Sequence, residues 1–424
     1  MLNLAPGVRY KTRIDGSLLF FDTRSCRYVS VPSSVAGLLS QDGGGATSRR
    51  AVRSLAEALA GNGLLADPGQ PGPVFSIPSP APLEPPLDEA FLEVTRRCNL
   101  QCSHCYQQGN ALPQQELGTQ PLLELIDRLA ESGILQLKLT GGEPLLRSDL
   151  PELISRARSH DIATRLYTNG LGVDPRKARC LAEAGLNEAQ VSIDGLRDET
   201  YASIRRRGIL AEATAGIAAL REAGIAVILS FTVTEANVGD LPLLDDFVRT
   251  HRVQVCVSPY LDYRVLSCSR GPSRGEFPAT DILTATLAAF TRLKPLWTRK
   301  TRLTQLLPPS WFSFCGAGVT SCYITCSGRV ALCPLLQEGF EAGHIDDLKS
   351  AWERSPVFLR LRSTNVLDTP ACGRCPHLVW CRGGCRARAL IYGGDLLGPD
   401  PVCCWMHGRL TGAGEGRPQT WGVP

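Results

Sequence analysis

The spacing of hydrophobic and polar positions changes several times along the chain. "VRYKTRID" (8–15), "GSLLFFDT" (16–23) and "RYVSVP" (27–32) are short runs broken by Asp15-Gly16 and by Ser25, and they predict a three-stranded meander. "SSVAGLLS" (33–40) and "SRRAVRSLAEALAGNGLL" (48–65) then take up helical spacing. Prolines at 68, 71, 73, 78, 80, 82, 85 and 86 follow, a composition that predicts an extended spacer carrying neither a ladder nor a helix. From about 90 to 270, apolar runs alternate with amphipathic helical segments. The predicted strands are "FLEVT" (91–95), "LQLKLT" (135–140), "TRLYTN" (164–169), "AQVSID" (189–194), "AVILSFTV" (226–233) and "VQVCVS" (253–258).

Six βα units in succession imply a parallel sheet curled into a partial barrel. The predicted fold is therefore α/β, a partial (β/α)6 TIM-type barrel preceded by a small domain and followed by a cysteine-rich one. The expected boundaries are 1–66, a linker at 67–89, the barrel at 90–305, a cysteine-rich region at 306–407 and a flexible tail at 408–424. Region 315–404 has little apolar run and is expected to be irregular and stapled from within. In such barrels reactive groups gather in the loops leaving the strands. Here "CNLQCSHCY" (98–106) follows the first strand, "GGEP" (141–144) the second, "TNG" (168–170) the third and "SIDG" (192–195) the fourth.

A net charge of +4 on 424 residues argues against bulk electrostatic binding of nucleic acid. The densest basic run, Arg205-Arg206-Arg207, reads as a solvated helix face. No apolar stretch is long enough to span a membrane, and the N-terminus lacks a secretory signal, so a cytoplasmic protein is expected. Seventeen cysteines in a reducing compartment point to metal binding or catalysis rather than disulfides.

Cys98, Cys102 and Cys105 have the spacing x3 then x2. Three thiolates so placed suit a cuboidal iron–sulfur cluster with one iron left open; a zinc site completed by a remote ligand such as His104 is the competing reading. Downstream, Cys315, Gly328 and Cys333 are spaced C-x12-G-x4-C. Cys372, Cys375, Cys381 and Cys385 follow as C-x2-C-x5-C-x3-C, and "DPVC" ends at Cys403. These spacings alone suit zinc as well as iron–sulfur clusters.

C-x3-C-x2-C followed by the aromatic Tyr106 resembles the radical S-adenosylmethionine superfamily, in which the open iron is chelated by the cofactor's methionine moiety. The resemblance implies that the cluster delivers one electron and that a 5′-deoxyadenosyl radical takes a hydrogen atom from the substrate. It also implies that Gly141 and Gly142 let the backbone approach the methionine amine and that Glu143 accepts its hydrogen bond. Ser192 and Asp194 would face the ribose, and Arg205 the cofactor carboxylate. The C-terminal cysteines resemble the SPASM extension of radical enzymes, which implies two auxiliary [4Fe–4S] clusters. One would be held by Cys315, Cys322, Cys333 and Cys385, the other by Cys372, Cys375, Cys381 and Cys403. Cys326 and Cys404 remain as spare thiols, alternative ligands or hydrogen donors.

Residues 4–66 resemble the small winged-helix peptide-binding domain of the pyrroloquinoline quinone pathway, the RiPP recognition element. Together the resemblances imply a maturase that crosslinks, epimerises or oxidises a residue of a ribosomally made precursor peptide. Its leader would dock on the N-terminal domain, and a flavodoxin or ferredoxin would supply electrons. The same chemistry on a sulfatase-type protein residue or a tetrapyrrole, and a zinc-binding regulator, are the alternatives.

Overall fold

The computed structural model describes residues 2–13, 17–31, 36, 46–67, 72–75, 87–107, 115–259, 277–293 and 316–410. The predicted meander is present. Strands β2 (Val8–Thr12), β3 (Leu18–Asp22) and β4 (Tyr28–Val31) pair antiparallel in that order. Helix α1 (Ala46–Gly61) lays Ala51, Leu55 and Leu59 on their core at helical spacing. Of "SSVAGLLS", only Ala36 is among the described residues.

The proline-rich segment departs from expectation. Its Val74–Phe75 forms strand β5, antiparallel to β1 (Leu2–Asn3), and Pro73 accepts a hydrogen bond from Leu4 N at 2.8 Å. Proline lacks a donor, but its carbonyl still accepts, so residues next to proline can close an edge pair. The N-terminal domain therefore reaches at least Phe75, and Glu89, assigned above to the linker, opens the next strand.

That strand is β6 (Glu89–Thr95). It is followed by β7 (Gln136–Gly141), β8 (Ala163–Thr168), β9 (Glu188–Ser192), β10 (Ala226–Val233) and β11 (Gln254–Pro259). All six are parallel and lie side by side in chain order. Between them run α2 (Thr119–Glu131), α3 (Leu150–Ser159), α4 (Pro175–Ala184), α5 (Asp198–Arg205), α6 (Leu210–Glu222) and α7 (Leu244–Thr250). Sequential order with right-handed crossovers puts the crossover helices on one face, the winding of a partial barrel rather than a doubly wound sheet. Local chemistry sets the ends: Asp174 caps α4 by accepting from Lys177 N at 2.7 Å, Pro175 opens it, and Gly185 at φ +100° closes it.

Alternation along the strands divides the sheet. Ala90, Leu92, Leu137, Leu139, Leu166, Val191, Leu229 and Phe231 face the helices and form the core. The other face is polar. Register places Phe91, Lys138, Arg165 and Glu188 in one row and Glu93, Thr140, Tyr167 and Gln190 in the next. Ser192, Ser230 and Cys256 form a third. Its lower charges are paired, Lys138 with Glu89 at 2.7 Å and Arg165 with Glu188 at 2.9 Å.

The cysteine-rich region is more regular than its composition predicts. Strand β12 (Ser321–Ile324) adds parallel to β6, and β13 (Arg329–Cys333) and β14 (Leu336–His344) continue antiparallel to give a nine-stranded sheet. Its short strands bury on the barrel's own edge, which supplies the apolar surface the segment lacks. The last helix runs from Pro401 to Leu410, so the first residues of the expected tail are helical.

The N-terminal domain docks where the parallel strands begin. The unbroken apolar run of β3 serves two cores: Leu18 and Phe20 face the domain, while Leu19 and Phe21 pack on Leu135 and Ala163. Alternate residues of β2 point the same way. Arg9 donates to Ile134 O at 2.8 Å, Lys11 pairs with Asp88, and wholly buried Arg13 lies 2.9 Å from the same carboxylate. Asn187 adds 2.9 Å bonds to the carbonyls of Thr23 and Arg24.

Candidate active site

The loop after β6 carries Cys98, Cys102 and Cys105, all half-buried. Several backbone contacts shape it. Ser103 N donates to Ile204 O on α5 at 2.8 Å, and Gly142 N and Glu143 N donate to the carbonyls of Thr95 and Arg97, each at 2.8 Å. This explains the two glycines differently from the sequence reading. A Cβ on Gly141, where φ is +151°, would stand 2.2 Å from Thr95 O, and one on Gly142 would stand 2.4 Å from Arg97 O. The close approach they permit is to the cysteine loop itself.

Glu143 is buried and engaged. Its carboxylate accepts from Leu145 N at 3.0 Å, Thr168 Oγ1 at 2.8 Å and Asn169 N at 2.8 Å. Burial raises its pKa, and these bonds oppose the rise. It joins the ends of β7 and β8. Asn169, in the "TNG" segment, also bonds Asn99 of the cysteine loop at 2.8 Å.

Asp194 is 1% exposed and likewise engaged: Oδ1 accepts from Thr232 N at 2.8 Å, and Oδ2 faces Arg205 and His104 Nε2, the latter at 3.0 Å. Burial works against its charge, yet Arg205 and His104 hold its pKa below the usual carboxylate range. His104 thus turns its Nε2 to Asp194. Arg205, far from solvated, is buried, with Nη1 3.4 Å from Cys102 Sγ. Among the described residues its Nε and the buried hydroxyl of Tyr201 have no hydrogen-bond partner. Ser192 lies half-buried on the polar face at the end of β9. The Tyr106 hydroxyl bonds the Thr140 side chain.

The thiols act on one another: burial, then Glu143, Cys102 and Cys105, push Cys98 up to about 11, while Arg205 works to lower the burial-raised pKa of Cys102. Among the described residues no three His, Cys, Asp or Glu side chains converge as a single ion requires. A cubane distributes its irons, so three thiolates need not meet at one point. The donor set fits a cluster. The unpartnered Arg205 Nε fits an anionic group beside it.

In the C-terminal region Cys372, Cys375, Cys381 and Cys403 interact in pairs. Cys403 bonds the Cys381 thiol, and Cys372 feels both Cys375 and Cys403. Asp400, 1% exposed, organises them by accepting from Cys385 N at 2.8 Å, Val402 N at 3.0 Å and Arg388 Nε at 2.9 Å. Arg388 also reaches Cys403 Sγ at 3.4 Å. Exposed Cys404 lies within electrostatic reach of Cys372 and Cys375. Of the other predicted set, Cys315 lies outside the described residues. Cys322 on β12 and Cys333 on β13 both pack against the main core, with a register irregularity between Ala331 and Cys333. Burial drives Cys322 up to about 12, with Arg362 opposing. Buried Cys326 donates its backbone N–H to Glu93 at 3.1 Å.

Three thiols on a strand-end loop, beside a buried guanidinium, suit an enzyme class that holds an iron–sulfur cluster and shares it with a small anionic cosubstrate. The comparisons agree. The profile of the Radical SAM superfamily matches residues 92–247. The mycofactocin maturase MftC of Mycobacterium ulcerans (strain Agy99) is 31% identical over 347 residues, 76% of this chain and 89% of that protein. The PqqA peptide cyclase of Granulibacter bethesdensis is 29% identical over 344 residues, 76% and 88% of the two chains. In fold, the chain is similar to Streptococcus suis SuiB bound to S-adenosylmethionine, at TM-score 0.65 and 15% identity over 95% of this chain and 99% of that one. It is similar also to SuiB bound to precursor peptide SuiA, at TM-score 0.63 and 15% identity over 95% and 100%. The chain belongs to the radical SAM superfamily and is a radical SAM enzyme.

Proposed function

We propose that this enzyme modifies a residue of a ribosomally synthesised precursor peptide, with Cys98, Cys102 and Cys105 holding the [4Fe–4S] cluster. When bound, that cluster supplies the electron for reductive cleavage of S-adenosylmethionine. The chain's own groups do the rest. Arg205 receives the cosubstrate's carboxylate on its spare Nε, Tyr106 and Ser192 border the polar face, and Glu143 holds the "GGEP" turn against the loop. Cys372, Cys375, Cys381 and Cys403 hold one auxiliary cluster. Cys315, Cys322, Cys333 and Cys385 hold a second. A flavodoxin- or ferredoxin-type donor serves these centres in the cytoplasm; among the described residues no helix is long and apolar enough to cross a membrane.

The observation that carries the peptide reading is the N-terminal domain seated at the strand-start end of a barrel whose polar face runs from there to the cysteine loop. A leader peptide added as a strand to that winged-helix-type domain would feed its core into this face, and docking would raise the core's effective concentration. The names of the relatives, a mycofactocin maturase and a peptide cyclase, support a peptide. The test is anaerobic incubation of the reconstituted enzyme with short peptides encoded beside its gene, read by mass spectrometry. A mass change in one peptide, with 5′-deoxyadenosine formed, is expected. Turnover of a tetrapyrrole with every peptide unchanged would overturn the substrate assignment.

A further inference from the structure

Glu93 is an acidic residue inside a core strand, five positions before Cys98, and it is fully buried. Its oxygen Oε1 accepts from Arg96 Nε at 3.0 Å and from Gln107 Nε2 at 2.9 Å. Those two residues flank the cysteine loop, one before Cys98 and one after Cys105. The other oxygen accepts from Cys326 N at 3.1 Å, and the Tyr323 hydroxyl also bonds the carboxylate. Arg96 in turn reaches Gln337 Oε1 at 3.1 Å, and Gln107 Nε2 lies 3.4 Å from Tyr323 Oη. One side chain therefore closes both ends of the loop and ties them to the cysteine-rich region, while Ser103 anchors the loop's middle to α5.

We propose that Glu93 is the positioning residue of the cluster loop, fixing the three thiolates in register with the β12 edge of the cysteine-rich region. It acts through Arg96 and Gln107 and touches no thiolate itself. All four of its neighbours present donors, so the site needs an acceptor on each side. An amide in its place would set an NH2 group against a donor on one side whichever way it turned. The inference holds whatever the substrate.

The test uses the full-length, iron-reconstituted enzyme. In Glu93→Gln, iron per chain should stay near the wild-type value. The electron paramagnetic resonance signal of the reduced, S-adenosylmethionine-bound cluster should broaden as the loop becomes heterogeneous. Reductive cleavage of S-adenosylmethionine should slow by about tenfold or more, the scale at which a misplaced reacting group loses rate. Adding Gln107→Glu should restore signal and rate in part, because the new amide at position 93 then donates to the new carboxylate at position 107 and still accepts from Cys326, while Arg96 Nε alone is left facing the amide nitrogen. An unchanged signal in Glu93→Gln, or a double variant no better than the single, would overturn the proposal. Should Glu93→Gln lose its iron outright, Gln107→Met decides: a broadened signal supports the role and a wild-type signal refutes it.

Discussion

The guanidinium of Arg205 lies between the carboxylate of Asp194 and the thiol of Cys102, 3.4 Å from the sulfur. It joins α5, the end of β9 and the cysteine loop through one buried cation. The placement follows from helical phase. Tyr201, Ile204 and Arg205 share the buried face of α5, whereas Arg206 and Arg207 lie beyond its end and are exposed.

Arg205→Leu should leave the buried Asp194 with His104 as its one facing ring partner, a loss of about 3–5 kcal/mol. Denaturant unfolding of the iron-free protein measures it. A change below about 1 kcal/mol, the value of an exposed pair, would show that the pair is not buried in solution.

Gly142→Ala would drive a Cβ to within 2.4 Å of Arg97 O and 2.6 Å of Arg96 O, both backbone atoms with little room to move. The substitution should destabilise by about 1–3 kcal/mol. It should also lower cluster occupancy, because the displaced backbone begins the cysteine loop. Full iron content and wild-type stability would contradict this role.

Asp149 accepts Arg147 Nε at 2.8 Å and Thr119 Oγ1 at 2.6 Å, while Arg147 braces the carbonyls of Val94 at 2.9 Å and Leu117 at 3.0 Å. The bond from Arg147 holds the Asp149 carboxyl below its ordinary value against partial burial. A depressed carboxyl stabilises above its unfolded pKa of about 3.9 and ceases to as pH falls through the lower folded value. Asp149→Asn should therefore cost about 1.5–3 kcal/mol near neutrality, shrinking below about pH 4. A gap that does not narrow in acid would exclude this pair as its source.

Asp88 is the carboxylate shared by Lys11 and Arg13 at the seat of the N-terminal domain. Asp88→Asn should strand the buried Arg13 and the part-buried Lys11, cost about 3–5 kcal/mol and loosen that seat. Hydrogen exchange should rise in β2 and β3 while the cysteine loop stays protected. Deleting residues 1–66 should go further, exposing Leu135 and Ala163; added leader peptide should not restore stability. Unaltered exchange in the Asp88 variant would mean that apolar packing alone holds the domain.

Much of this was legible in the sequence for a physical reason. A parallel strand buried against helices announces itself by a local run, so all six were found, and with them the strand-end positions of the cysteines, "GGEP" and "SIDG". What depended on distant partners was not legible. The two-residue pair of β1 with β5 has no local pattern. The buried state of Arg205 rests on Asp194, which only the fold brings near. Glu93 and Asp400 look like ordinary acidic residues until donors from separate segments converge on them. The signal for Glu93 was available, since an acid amid "FLEVT" in a core strand demands a partner.

The central claim is that the loop thiols hold the cluster that cleaves the cosubstrate. Cys98, Cys102 and Cys105 should be replaced together by Ala, and the anaerobically reconstituted protein assayed for iron and for 5′-deoxyadenosine formed from S-adenosylmethionine under reducing conditions. If the intact chain carries the three four-iron clusters proposed, iron should fall by about a third, and in any case 5′-deoxyadenosine formation should vanish. Continued formation of 5′-deoxyadenosine by the triple variant would contradict the account at its root.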